Sequence, residues 1–255
     1  MAINVNTVYQ TVLLILNKEQ RGYITPDEFN KIATQVQLSI FEKYFEDLNV
    51  QLRSPGFEDE YADRVDQLEE KISIFKEYGA AGYYSDYFYL PANTHRIGTI
   101  MYKDEQELQM TNRGELLRLD MSKLTRPTKN YPMYIQEGKL DVYENGIIVC
   151  EDCFRVYVYP KDIKEDITIS YIRKPKNVVW GYGLGAVNQY IWDGSPSFNP
   201  PSIPATGSVN FELHESEQVE VILKILMYSG VVIRDPQIIQ AAAAEAQQID
   251  VSQQQ

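Results

Sequence analysis

Residues 25–48 read TPDEFNKIATQVQLSIFEKYFEDL, and this stretch decides the fold class at the N-terminal end of the chain. Thr25 suits the N-cap of a helix, Pro26 suits its first position, and Glu28 can complete a capping box. Apolar residues then recur at three- and four-residue steps, at Phe29, Ile32, Ala33, Val36, Ile40, Phe41, Tyr44 and Leu48. The spacing predicts a long helix with one buried stripe.

One further helix is predicted before this one and one after it. The apolar run at residues 5–17 contains neither Gly nor Pro, which is typical of a short buried helix. After the break at residues 54–56, apolar residues recur from Tyr61 to Tyr78 against a charged outer face. We therefore predict a helical bundle over residues 1–80.

The composition changes after residue 80. Short runs of aromatic and β-branched residues then alternate with turn residues, which predicts a β region over residues 81–173. The candidate strands are Tyr87–Leu90, Arg96–Tyr102, Gly146–Cys150, Phe154–Tyr159 and Ile167–Ile172. The predicted fold class is α+β, with an N-terminal helical bundle, a central antiparallel β region and C-terminal helices.

Residues 174–208 form a long segment that is rich in Gly and Pro and that we interpret as an extended loop. It contains Trp180, Tyr182, Trp192 and Phe198. Long unstructured connections inside a compact domain are uncommon unless they bind something. We therefore expect these four aromatic residues to contact a neighbouring subunit or an adjoining ring.

The C-terminal segment, residues 209–255, is predicted to be helical. Residues 219–231 are densely apolar, and Asp235-Pro236 has the pattern of a second helix start. That second helix has a high helix propensity, but its apolar residues are mainly Ile238 and Ile239. Because it has little of its own to bury, we expect Ile238 and Ile239 to be interface residues.

The overall charge argues against a nucleic-acid-binding footprint. Acidic residues outnumber basic ones 36 to 24, which gives a formal charge of −12. Specific binding of nucleic acid needs clustered Lys and Arg. No apolar run approaches the roughly 18 residues of a membrane span, and the N-terminus lacks the pattern of a signal peptide. We therefore expect no membrane partner and synthesis in the cytoplasm.

Two patterns resemble metal sites, and both are incomplete. Residues 17–28 mimic a calcium-binding loop, but Arg21 stands where a ligand oxygen belongs. Cys150 and Cys153 have the spacing of half a zinc site, without a second pair of ligands nearby. We expect no bound metal, and we expect the two cysteines to fill small apolar gaps without a supporting disulfide.

Catalytic patterns are equally weak. Residues 181–186, GYGLGA, fit a loose dinucleotide-binding pattern, but no helix follows them. The chain has two histidines, no Gly-x-Ser-x-Gly elbow and no phosphate-binding loop. We therefore expect no catalytic residues and no cofactor, and we predict that the protein is not an enzyme.

Three pairs of stretches suggest a family. They are NKEQRGYITPDEFN at 17–30 with QVQL at 35–38, YLP at 89–91 with HRI at 95–97, and FELHESE at 211–217 with GVVIRDP at 230–236. In these stretches and in the order of its segments, the chain resembles the head-to-tail connector and tail-ring proteins of crAss-like, short-tailed bacteriophages. None of the stretches is catalytic.

The resemblance implies a virion structural protein at the head-to-tail junction or in the tail. Such a subunit would assemble into a closed ring of twelve copies and would contact the portal protein or an adjacent tail ring. Genomic DNA would pass through the channel without specific binding, since an acidic wall repels phosphate. The resemblance leaves open which ring of the connector or tail the chain would form.

Two other functions stay open from the sequence. A tail-associated glycan hydrolase would need paired carboxylates in a deep pocket, which the sequence alone cannot pair. An assembly chaperone would share the acidity and the helices, but it would not need so much β structure.

Overall fold

The computed structural model describes residues 2–18, 23–53, 59–144, 146–185, 189–193 and 207–233, with single positions at 240, 244 and 247. Over these residues the chain is mixed α+β, with helices at both ends and a central, mainly antiparallel β region. The predicted fold class is confirmed. The chain divides into two compact units: a helical unit, Met1–Ile74 with Pro175–Gln255, and a β unit, Phe75–Lys174.

Five α-helices are formed by the described residues: α1 Val5–Lys18, α2 Pro26–Arg53, α3 Asp59–Ser73, α4 Arg113–Asp120 and α5 Gln218–Ile233. All except α4 belong to the helical unit. No helix in the described ranges is long and apolar enough to cross a membrane.

The start of α2 has the predicted capping box. The Thr25 amide donates to Glu28 Oε2 at 2.9 Å, and the Glu28 amide donates to Thr25 Oγ1 at 3.4 Å. The Thr25 hydroxyl also donates to Glu28 Oε2, and this bond, together with the one from the Thr25 amide, holds the pKa of Glu28 below its ordinary value because both stabilise the carboxylate. The predicted stripe is buried at Phe29, Ala33, Val36, Ile40, Phe41 and Tyr44. The helix prediction is confirmed.

The third predicted helix is shorter than the sequence suggested. It was expected to continue to Tyr78, but α3 ends at Ser73, and Tyr78 lies in a β-strand. The backbone of this strand pairs with residues 168–172, and the side chain of Tyr78 is exposed. The apolar residues 72, 75 and 78 resembled a helical stripe because three-residue spacing fits a helix, but cross-strand pairing takes over after Ser73.

The strands are β1 Lys76–Ala80, β2 Gly82–Tyr84, β3 Tyr87–Tyr89, β4 Thr94–Tyr102, β5 Gln106–Glu107, β6 Gln109–Met110, β7 Met133–Glu144, β8 Ile147–Tyr159, β9 Ile167–Arg173, β10 Tyr182–Leu184 and β11 Tyr190–Trp192. The β unit contains two sheets, in the orders β1-β9-β4-β5 and β2-β3-β8-β7-β6. Buried residues of β3, β4, β7, β8 and β9 form one hydrophobic cluster, so the two sheets pack against each other.

The prediction of two strands, at residues 146–150 and 154–159, was wrong in one respect. Both lie in the single strand β8, whose partner β7 was not predicted. Glu151 and Asp152 interrupt the apolar pattern, because they sit at a bulge where the pairing with β7 shifts. Strand β7 escaped prediction because QEGKLD, residues 136–141, lacks the apolar alternation of a half-buried strand.

The helical unit contains an extended segment, residues 176–180, that lies along α2. Asn30 Oδ1 accepts from the Trp180 amide at 2.7 Å, and its Nδ2 donates to the Trp180 carbonyl at 3.4 Å. One turn later, Thr34 Oγ1 accepts from the Val178 amide at 3.1 Å. Side chains of α2 thus take the place of a neighbouring β-strand for this backbone.

Gln37 completes this polar ladder, which we define as the side chains of Asn30, Thr34 and Gln37. Its Nε2 donates to the Lys176 carbonyl at 2.7 Å, and its Oε1 accepts from the Glu212 amide at 2.9 Å. The step from Asn30 to Thr34 advances about 6 Å along the helix and the step from Thr34 to Gln37 about 4.5 Å, whereas two residues of extended chain advance about 6.6 Å. The first step nearly matches the extended chain, and the longer side chain of Gln37 spans the difference at the second.

Gln37→Leu should destabilise the helical unit by about 2–4 kcal/mol, because it leaves a backbone carbonyl and a backbone amide without their partners. Gln37 is fully buried, and Leu has a similar volume, so the change isolates the hydrogen bonds. Urea denaturation of wild type and variant measures the difference. Gln35→Leu on the exposed side of the same helix is the control, and equal effects at both positions would contradict the ladder.

A second polar cluster joins α2 and α3 to the start of α5. Lys71 Nζ lies 2.5 Å from Glu217 Oε1, and Glu220 Oε1 lies 3.0 Å from Lys224 and 3.5 Å from Lys43. Both carboxylates are nearly inaccessible to solvent. Burial alone would raise the pKa of Glu220, but the ammonium groups of Lys224 and Lys43 hold it below its ordinary value of 4.5.

Glu220→Gln should lower the free energy of unfolding by about 1–3 kcal/mol at neutral pH, because two lysines lose their carboxylate partner. A lowered pKa means that this stabilisation is complete above pH 4.5 and is lost as the pH falls through the folded-state pKa. The difference between variant and wild type should therefore shrink below pH 4.5. Denaturation curves from neutral pH down to about 3 measure it.

Glu46→Gln, at an exposed position of α2, is the matched control for Glu220→Gln. It should change stability little at any pH. A loss in Glu220→Gln that stays constant across the whole pH range would contradict the assignment.

Candidate interaction surface

Trp180, predicted as an interface residue, is buried inside the helical unit. It is 4% exposed, its ring centroid lies 4.3 Å from that of Tyr9, and its Nε1 donates to Asn6 Oδ1 at 3.0 Å. The expectation that Trp180 needs a partner subunit was therefore wrong. Its partners Asn6 and Tyr9 lie more than 170 residues earlier in the chain, so no local pattern could show them.

Tyr182 and Trp192 lie on the β10–β11 hairpin and are partly buried. Tyr182 donates its hydroxyl to Asp27 at 3.2 Å, and Trp192 donates its Nε1 to Ser208 Oγ at 3.0 Å. Asp193 in turn accepts from the Ser208 hydroxyl. Both aromatic rings thus have polar partners within the chain, and their role at an interface stays a prediction.

The other predicted interface residues, Phe198, Ile238 and Ile239, lie outside the residues that the structure describes. Part of the calcium-like pattern, residues 19–22, also lies outside them. Its last residue, Glu28, caps α2, as described above. Within the described part of the chain, no three His, Cys, Asp or Glu side chains are grouped as a metal ion would require.

Cys150 and Cys153 are joined by a disulfide bond, and their Cα atoms are 6.0 Å apart. The expectation of two unbonded cysteines was wrong. Residues three apart on a regular strand point to opposite faces. Here β8 has one extra residue between Cys150 and Cys153, opposite Leu140 and Val142 of β7, so both sulfurs face the same side.

The β7–β8 hairpin projects beyond the strands that flank it. Strand β3 pairs with β8 at Arg155 and Val156, followed by a hydrogen bond from the Leu90 amide to the Phe154 carbonyl at 3.0 Å, and β6 pairs with β7 at Met133 and Tyr134. Gly146 adopts a left-handed conformation, with φ of +82°, in the tight turn between β7 and β8. The rest of the hairpin is therefore a two-stranded ribbon.

This projecting end exposes apolar side chains. We call residues 140–153 the hairpin tip. Ile147 is 71% exposed and Ile148 is 52% exposed, while Val149 and Tyr143 are also solvent-accessible. Val142, Cys150 and Cys153 are buried, and Tyr84, Tyr87 and Tyr89 of β2 and β3 pack against them. A ribbon that exposes this many apolar groups is typical of a surface that contacts another molecule.

A second exposed apolar region surrounds α4. We call residues 113–131 the α4 surface. Leu117, Met121, Leu124 and Tyr131 are all more than 60% exposed, and Leu116 is the buried side chain that anchors α4. The segment is also tied at both ends, since the Gln109 amide donates to the Pro132 carbonyl at 3.1 Å. Leu116 and this hydrogen bond therefore hold the backbone that carries the exposed apolar side chains.

Sequence reasoning missed both regions. The run Ile147-Ile148-Val149 was predicted as part of a strand over Gly146–Cys150, and strand periodicity does not show that its apolar side chains are exposed. The α4 surface was not assigned any element, since apolar and charged residues are mixed there without a clear period. The available signal was the basic composition of residues 113–131 in an otherwise acidic chain.

No protein-family model matches the chain, and no curated protein matches it in sequence. The two exposed apolar surfaces of the β unit are therefore the features from which its function is inferred.

Trp180→Ala should destabilise the helical unit by about 3–5 kcal/mol, as expected for a large side chain removed from a core. Trp180→Phe should cost less, because the ring contact with Tyr9 is partly kept and only the hydrogen bond to Asn6 is lost. Thermal and urea unfolding measure both. An unchanged melting temperature in Trp180→Ala would show that the residue is not part of the core.

Proposed function

We propose that this protein is a structural subunit of a head-to-tail connector or tail ring of a tailed bacteriophage. The subunits form a closed ring that joins the portal to the tail and lines the DNA channel. The hairpin tip is the observation that carries this proposal. A projecting, apolar two-stranded ribbon suits contact with a repeated neighbour better than it suits a solvated surface.

The charge of the chain supports the same function. At a formal charge of −12, the subunit repels phosphate, so DNA can slide past without being held. The resemblance in residues 17–38, 89–97 and 211–236 points to the same class of protein. Partners under this proposal are further copies of the chain, the portal protein and adjacent tail rings, in the virion.

The experiment is to measure the mass of the purified protein over a wide range of concentrations and to view the particles end-on by electron microscopy. A closed ring of twelve copies has a mass near twelve times 29.4 kDa and shows a central hole. Identical subunits in head-to-tail contact close into a ring when the rotation between them permits it. A discrete ring species is the expected result.

Two results would contradict the proposal. One is a monomer at all concentrations, both alone and with a portal protein. The other is release of new reducing ends when the protein is incubated with bacterial surface glycans, which would favour the hydrolase. An electrophoretic shift of double-stranded DNA at physiological salt would separately contradict a channel wall that does not bind DNA.

A further inference from the structure

We propose that the hairpin tip of one copy docks onto the α4 surface of the next copy. This inference deepens the proposed ring and rests on it, because it names the two surfaces that join its subunits. Both surfaces belong to the β unit, and each is described above from its own residues.

The first argument is that both surfaces expose large apolar side chains. The tip presents Ile147, Ile148 and Val149, and the α4 surface presents Met121 and Leu124. Leu124 is 96% exposed and Met121 is 87% exposed, so nothing within the described chain covers them. The unbranched, flexible side chain of Met121 adapts well to the branched side chains of a strand.

The second argument is charge complementarity. Residues 140–153 contain four acidic residues and no Lys or Arg. Asp141, Glu151 and Asp152 are exposed, and Asp152 pairs with Lys139 Nζ at 3.0 Å. Residues 113–131 contain five basic residues and two acidic ones. An apolar centre with oppositely charged rims is the arrangement of a specific protein interface, in which the charges fix orientation and exclude wrong partners.

The third argument is that the α4 surface and the tip are anchored at opposite ends of β7. The α4 surface leads directly into Met133, at the start of β7, whereas the tip begins beyond Lys139. Strand β7 has twelve residues, so its two ends lie roughly 35 Å apart. Within one copy, the two surfaces are therefore anchored too far apart along β7 to cover each other, and each is open to another copy.

Such a contact joins two different patches of the same chain, so it is heterologous. Each copy donates one tip and accepts another, and the contact repeats from copy to copy. This geometry generates a ring if the rotation closes and a filament if it does not. A contact between two tips would instead stop at a dimer.

The test uses two double variants of the full chain. The tip variant carries Ile147→Thr and Ile148→Thr, which keeps β-branched residues in the strand. The α4 variant carries Leu117→Gln, which keeps a good helix former in α4, and Leu124→Gln in the turn after α4. The changed positions are more than half exposed, so both variants should fold with unchanged circular dichroism and melting temperature. Val50→Thr, exposed on α2, is the matched control.

Each double variant alone should remain monomeric, with its self-dissociation constant raised about 100-fold or more, since buried apolar anchors dominate interface affinity. The decisive result is the equimolar mixture. The intact tip of the α4 variant should bind the intact α4 surface of the tip variant, so the mixture should give a heterodimer that cannot grow further. Mass photometry and analytical ultracentrifugation measure these species. The Val50→Thr control should assemble like the wild type.

Three results would overturn the docking. Self-association of the α4 variant would indicate contact between tips. Rings formed by both variants would show that the surfaces are wrongly assigned, while the ring proposal stands. Monomers that stay apart in the mixture would show that the two surfaces do not bind each other. Conversely, a heterodimer in the mixture together with open filaments of wild type would support the docking and contradict the closed ring.

Discussion

The polar ladder of α2 is the interaction on which the helical unit depends. The chain leaves this unit after Ile74 and returns at Pro175, and the returning backbone is held at once by Gln37, Thr34 and Asn30. An extended backbone buried against a helix would otherwise keep unsatisfied amides and carbonyls. The same ladder positions Trp180 over Tyr9, so the hydrogen bonds and the hydrophobic core support each other.

Local patterns predicted the fold class and α2 well, because their signals lie in consecutive residues. The capping box spans only Thr25 to Glu28, and the stripe of α2 repeats over several turns. Features that depend on distant residues were missed. Trp180 was assigned to an interface because its Gly- and Pro-rich surroundings offered no partner, and the disulfide required a bulge that strand periodicity does not reveal.

The two interaction surfaces were also missed, because they depend on which apolar residues are exposed. A sequence shows which residues are apolar, and exposure is decided by how far each strand extends beyond its neighbours. Ile147 and Ile148 lie on β8 well beyond its pairing with β3 at Arg155 and Val156, and both are exposed. The acidity of the whole chain was visible from the sequence. The sequence also shows that residues 113–131 are basic and residues 140–153 acidic, but only the structure places these two segments at opposite ends of β7.

The β unit begins and ends on neighbouring strands, since the Arg173 amide donates to the Phe75 carbonyl at 2.9 Å and β1 pairs with β9. For the helical unit, the whole β unit is therefore a loop whose two ends are already together once the β unit has folded. The loop-closure entropy that joins Ile74 to Pro175 is then that of a short connection, whatever the length of the inserted chain. Strands and loops can be lengthened or exchanged within the insertion at little entropic cost to the helices.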